Sequence, residues 1–351
     1  MATILRNVNA AKNIRDLLKK SIEHCTRSER GLKRWQVDTL RVMYWRAQSY
    51  DAIPHPERHR REWQNWNYKS ELFAFSQRLS EKFSEEMLRV CFTDKSYVEK
   101  EDEQRKELGM PEIELRTENN SELAAIGTNK LTPFIKSYLR YFLKNVPEEC
   151  ISAVHNYLMS DTVLADIASK IGCTQLILCN AINPSDEVKA QVLRALIGAL
   201  MKEKGEKHTE KFIIDFILTY INDQDIMEVW NLPQAEIALS NVLKNNGITE
   251  YEPRLLRESG RNTIYACFMV GMYVDKKLIG FGSGETVSIA REMAAYDALR
   301  RMFKLTPAST LFKFGKDAYN IDFGSSSQEY SLLNEWKLLD LDRKHQLKSI
   351  S

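Results

Sequence analysis

Asn120-Ser121-Glu122-Leu123-Ala124-Ala125-Ile126-Gly127-Thr128-Asn129-Lys130-Leu131 and Ala190-Gln191-Val192-Leu193-Arg194-Ala195-Leu196-Ile197-Gly198-Ala199 are the two stretches that decide the fold. Both read as helix, with Leu123, Ile126, Leu131, Leu196 and Ile197 as core-facing apolar positions. Outward from them, the pattern is helical nearly throughout from Glu118 to Tyr220. Thr132-Pro133 reads as an N-cap and a first-turn proline, opening a helix through Phe134, Tyr138 and Phe142. Pro147 and Pro184 punctuate later segments, and Val188–Met201 and Thr209–Ile221 read as two further amphipathic helices. Upstream, Leu72, Phe75, Leu79 and Phe83 recur at helical spacing, and the charge-dense residues 99–118 form an exposed insertion. An all-helical bundle is the expected architecture.

After Leu232-Pro233 the periodicity changes. A helix over Gln234–Asn245 ends at Gly247, a left-handed cap position. Alternating segments follow at Tyr265–Val274 and Lys277–Phe281, then Gly280-Phe281-Gly282-Ser283-Gly284. A last helix carries Ala290, Ala294, Ala295, Ala298 and Leu299. The expected fold is therefore mainly α with a smaller α+β domain of order α-β-β-β-α. A polar tail covers 305–351.

The 351 residues are 43% hydrophobic and 28% charged, enough apolar material for two packed cores. The net charge of +2 hides an asymmetry: residues 1–62 hold 14 Lys+Arg against 7 Asp+Glu, a balance of +7, which leaves −5 for the other 289. A basic arm on a mildly acidic body suits an anionic partner such as nucleic acid. Residues 31–68 interleave arginines with Trp35, Tyr44, Trp45, Trp63, Trp66 and Tyr68. Such rings either stack on unpaired bases or pack a helix onto the body. No apolar run approaches the roughly 18 residues needed to span a bilayer. Cysteines 25, 91, 150, 173, 179 and 267 form no CxxC and read as reduced, mostly buried thiols. His55 and His59 are separated by Pro56, so they make no helical metal pair. No metal or cofactor is expected.

The two opening stretches are similar to the ribonuclease III signatures. There, the first carries a Glu and an Asp four residues on, and the second an Asp and a Glu three on. Phe83–Tyr97 resembles the opening of the same domain. Those four catalytic acid positions fall on Ala124, Thr128, Gln191 and Arg194. Two-metal phosphodiester hydrolysis needs carboxylates to hold hard cations at fixed separation. Ala124 offers no ligand, Thr128 and Gln191 only neutral oxygens, and Arg194 a permanent positive charge. Glu122, two residues before Ala124, faces away around the helix. The resemblance thus implies a ribonuclease III-like scaffold that is not an enzyme, over residues 69–228, whose helical face permits homo- or heterodimerisation.

Residues 232–304 resemble a double-stranded RNA-binding domain with reduced phosphate grip. The loop Ser259-Gly260-Arg261-Asn262-Thr263 replaces the family's Gly-Pro-x-His. Val287 and Ser288 stand where two lysines are usual, with only Arg291 in the third place. Arg254, Arg257, Arg261, Lys276, Lys277 and Arg291 remain as candidate RNA contacts; any one of them also reads as a solvated surface charge. Asn65–Tyr68, Leu108-Gly109, Tyr273–Ile279 and Gly284–Val287 together resemble a branch of mitochondrial large-ribosomal-subunit proteins with a ribonuclease III-like domain. That resemblance implies large-subunit rRNA and neighbouring ribosomal proteins as partners, in the mitochondrial matrix. Residues 1–30, with seven basic residues and an apolar stripe at Ile4, Val8, Ile14, Leu17, Leu18 and Ile22, read as either a mitochondrial presequence or a basic arm.

Overall fold

The structure, a computed structural model, describes residues 38–46, 60–62, 66–109, 118–305, 312–323 and 330–337. The presequence-or-arm reading of 1–30 falls outside these residues, as do Trp35 and Trp63. The chain divides into two compact units, 1–62 and 63–351. In the first, residues 38–46 are helical, with Trp45 exposed.

The second unit opens with α1 (Tyr68–Arg78) and α2 (Glu85–Phe92). Leu72, Phe75, Leu79 and Phe83 do not share one helix: α1 stops at Arg78, and Ser80 turns the chain at a φ of 57°. Ser84 then caps α2, its hydroxyl accepting from the Met87 amide at 3.2 Å. Helix α3 (Lys95–Glu107), capped by Asp94, buries none of its residues. The charge-dense stretch is thus solvent-facing helix up to Glu107, and residues 110–117 lie outside the described set.

Helix α4 runs unbroken over Ser121–Phe142, with Pro133 inside it. Thr132-Pro133 therefore does not start a helix. Proline in a helix interior costs about 3 kcal/mol or more. Here Leu131 before it and Ile135, Tyr138 and Leu139 after it are all fully buried, each contributing about 1.5–3 kcal/mol. Tertiary burial outweighs the local break. Then come α5 (Glu148–Met159), α6 (Asp161–Ile171), α7 (Asp186–Lys204), α8 (Glu206–Phe216) and a 3-10 turn over Leu218–Asp223. The last amphipathic stretch is thus helix to Phe216 and a tighter turn beyond.

The sheet module has α9 (Ile226–Trp230), α10 (Ala235–Asn245), β1 (Glu252–Ser259), β2 (Cys267–Val274), β3 (Lys277–Gly284) and α11 (Val287–Met302). The strands form one antiparallel sheet in the order β1-β2-β3. Helix α11 lies directly on β3: a Cβ at Gly280 would meet the Ala298 backbone at 2.5 Å, and one at Gly282 the Ala294 nitrogen at 2.3 Å. That contact explains both the glycines of β3 and the alanines of α11. The β2–β3 turn is Asp275-Lys276, at φ 48° and 66°, the two-residue geometry whose twist matches paired strands.

The described parts of the polar tail are packed. Ala318, Phe323, Leu333 and Trp336 are buried. Trp336 meets Phe303 edge-on at 5.1 Å and donates its indole N–H to the Asn145 carbonyl at 3.1 Å. The Glu148 amide, at an N-terminus with no side-chain cap, donates to the Ser331 carbonyl at 3.2 Å. Segments 312–323 and 330–337 thus act as a strap joining α4, α5 and α11.

Candidate functional site

The two opening stretches lie on α4 and α7, which cross with their backbones in contact. A Cβ at Gly127 would sit 1.9 Å from the Arg194 carbonyl oxygen, and one at Gly198 would sit 2.0 Å from that of Leu123. Reciprocal glycines permit this approach and bring Ala124, Thr128, Gln191 and Arg194 to one crossing.

Thr128, Gln191 and Arg194 each donate a hydrogen bond within the protein. Thr128 Oγ1 donates to the Ala124 carbonyl at 2.8 Å. Gln191 Nε2 donates to Asn120 Oδ1 at 2.9 Å. Asn120 is fully buried at the end of the preceding loop, and its own amide nitrogens reach the Thr93 and Cys91 carbonyls at 3.1 and 3.4 Å. Arg194 turns to Asp161, at 2.7 Å, and to the Met159 carbonyl at 3.1 Å. The guanidinium charge is therefore neutralised by a carboxylate of α6 rather than left open at the crossing. Cys91 packs beside Ala195, and burial pushes its thiol well above the ordinary range. Glu122 points outward, its side chain 82% exposed and 3.3 Å from Lys202. Asp186 and Glu187 lie in the first turn of α7, where negative charge suits the helix dipole. Among the described residues, no group of three or more His, Cys, Asp or Glu side chains is placed to hold a metal. The donor set at the crossing, one hydroxyl, one amide and a paired guanidinium, does not fit a pair of divalent cations.

The six candidate RNA contacts are not brought together. Lys276 and Lys277 stand at the β2–β3 turn. Arg254 is near them, over the Tyr273 ring at 5.2 Å and bonded to Glu252 at 2.9 Å. Arg257 lies further along β1, opposite Met269, and Arg261 is in the β1–β2 loop, 3.9 Å from Glu258. Arg291, in the first turns of α11, pairs with Glu236 of α10. Eight residues of strand, about 27 Å at roughly 3.4 Å each, separate the two ends of the sheet. Val287, Ile289 and Met293 are exposed apolar residues at the start of α11, with Ile264 and Tyr265 exposed on the β1–β2 loop.

Residues 67–200 match the family described as large ribosomal subunit protein mL44, endonuclease domain, and residues 230–337 match the MRPL44 dsRNA-binding domain. The large ribosomal subunit protein mL44 of Caenorhabditis elegans is 36% identical over 298 residues, 84% of this chain and 74% of that protein. The chain belongs to the mL44 family. It is also similar to Ribonuclease 3 of Borreliella burgdorferi, 24% identical over 67% of this chain and 92% of that one. Ribonuclease 3 of Enterococcus faecalis is 26% identical over 61% and 89% respectively.

In this mL44-family chain, sequence reasoning missed the partners that close the crossing. Asn120 and Asp161 carry no sequence signal linking them to Gln191 and Arg194, because the elements that hold them meet only in three dimensions. Ser160-Asp161 is legible only as a helix start, with Ser160 Oγ accepting from the Val163 amide at 3.4 Å. The family's dsRNA-binding region extends to residue 337, so it includes the strap that composition read as a tail.

Proposed function

We propose that this chain is a non-catalytic structural component of the mitochondrial large ribosomal subunit, working in the matrix. Its helical part, over 69–228, serves as a scaffold for neighbouring ribosomal proteins. Its sheet module, over 232–304, faces rRNA. The observation that carries this reading is the α4–α7 crossing: Ala124, Thr128, Gln191 and Arg194 stand where the ribonuclease III signatures put metal-binding acids, and Thr128 Oγ1, Gln191 Nε2 and the Arg194 guanidinium donate to the Ala124 carbonyl, Asn120 and Asp161. A pseudoenzyme retains that packing because the helix pair is core. Membership of the mL44 family supports the ribosomal role, and no helix among the described residues is long and apolar enough to cross a membrane. Of the candidate RNA contacts, Arg257 and Lys276 keep their charge unpaired among the described residues, whereas Arg254, Arg261 and Arg291 share theirs with glutamates.

Sucrose-gradient sedimentation of mitochondrial lysate tests the proposal. Stable co-migration with the large subunit is expected, and a slow free pool alone rejects it. The relatedness to Ribonuclease 3 motivates a second reading, an active double-strand-specific endoribonuclease. Magnesium-dependent cuts in a long RNA duplex, abolished by EDTA, are the result that would favour it.

A further inference from the structure

Around the strap, four lysines form no ion pair among the described residues, whereas Arg254, Arg261 and Arg291 of the sheet module share their charge with glutamates. Lys144 follows the end of α4, its ammonium 5.4 Å from the Tyr141 ring. Lys313 lies on the first strap segment, where its carbonyl accepts from Tyr138 Oη at 2.6 Å and the neighbouring Phe312 packs 6.0 Å from Phe142. Lys337 follows Trp336, which is bonded to the Asn145 carbonyl. Lys244 precedes Asn245, whose side-chain amide donates to the Asn334 carbonyl. Four lysines, distant in sequence, thus stand on segments that meet around the C-terminal end of α4. All four are exposed, and none forms a salt bridge with a carboxylate among the described residues. The described strap segments also carry Lys316, Asp317, Asp322 and Glu335, so the four lysines together with Lys316 stand against three strap acids. The negative end of the helix dipole accounts for Lys144 only, because its influence fades beyond the last turn.

We propose that Lys144, Lys244, Lys313 and Lys337 form a phosphate-backbone-binding surface for folded RNA, which rests on the RNA-facing part of the function proposed above. Lysine ammoniums are compact point charges that grip phosphates without reading bases. The inclusion of the strap in the family's dsRNA-binding region points to RNA rather than to an acidic protein. The surface lies where strap and α4 meet, away from the sheet positions at which the RNA-binding resemblance had placed the contacts.

The test uses the full chain and a labelled RNA duplex of about 20 base pairs, longer than the roughly 16 that a double-stranded RNA-binding module spans, titrated by fluorescence anisotropy across a range of salt. Each phosphate contact adds about 0.9 to the slope of log affinity against log salt. The quadruple Lys→Gln variant is expected to have a slope shallower by about 3–4, and to bind about tenfold or more weakly near 0.1 M salt. The quadruple Lys→Arg variant keeps the slope, and both variants keep the wild-type melting temperature. Arg257→Gln with Lys276→Gln lowers the slope by about 2 at most. A Lys→Gln variant that retains the wild-type slope to within about one contact overturns the proposal; the patch would then serve an acidic protein surface. If that variant keeps its slope while the wild type binds RNA and sediments with the large subunit, only this proposal falls. If the wild type does neither, the proposed function falls with it.

Discussion

Glu148→Ala gives the sharpest test of how the strap is held. The Glu148 carboxylate accepts from Arg140 Nε at 3.1 Å, from a second Arg140 nitrogen, and from the Tyr330 amide at 3.1 Å. Arg140 also holds Tyr330 through its carbonyl, which accepts from Tyr330 Oη at 2.6 Å. Both charged side chains are nearly buried, 6% and 10% exposed. The attraction within such a pair roughly offsets its desolvation, but removing one partner strands the other and costs about 3–5 kcal/mol. At about 2–4 °C per kcal/mol for units of 150–250 residues, Glu148→Ala is expected to lower the melting temperature by about 6–20 °C. It also strips hydrogen-exchange protection from the Tyr330 amide. The double variant Arg140→Met/Glu148→Leu fills the same space without charge and is expected to recover most of that loss, leaving about 1 kcal/mol for the unpaired Tyr330 amide. A single change costing under about 1 kcal/mol, or a double variant no more stable than the single one, would mean that the buried pair does not hold the strap.

Further expectations follow from other sites. Gly127→Ala forces the α4–α7 crossing apart by backbone contact on both sides, so a loss of about 3 kcal/mol or more is expected in chemical denaturation; a loss under about 1 kcal/mol would mean that the helices separate freely. His155, with one buried ring nitrogen lacking a partner, has its pKa lowered from 6.5, chiefly by desolvation. The folded state therefore favours the neutral ring, and His155 contributes stability above pH 6.5 that is lost as the pH falls below it. His155→Leu should flatten melting temperature against pH across that window, and an unchanged profile would assign the pH dependence to other groups. Magnesium or manganese at millimolar levels should leave the melting temperature unchanged; a site filled at 100 times its Kd would add about 2.7 kcal/mol. Lys276→Gly relieves a left-handed lysine in the β2–β3 turn and is expected to stabilise by about 1 kcal/mol, read from the denaturation midpoint. A destabilisation there would show that the lysine side chain itself holds the turn.

The existence and order of the elements were legible in the sequence wherever burial is periodic. Leu131, Phe134 and Tyr138 mark a buried helix face, and Ala290, Ala294 and Ala298 mark the last helix, at positions the structure buries. Local rules failed where distant packing outweighs them. Pro133 reads as a helix start and lies mid-helix, because its cost is smaller than the burial on either side. The strap reads as a polar tail because Phe323, Leu333 and Trp336 are too sparse to show a period, although each fills a place between elements.

At the α4–α7 crossing, the sequence by itself determined which side chains stand on the two signature helices and that no carboxylate is among the four. Only the tertiary structure decided where their hydrogen bonds and charge go: Gln191 to Asn120, Arg194 to Asp161. The same division holds for the lysines around the strap, which the sequence scatters over nearly 200 positions. Residue chemistry is a property of the chain, whereas the sum of charges at a point depends on distances that exist only after folding.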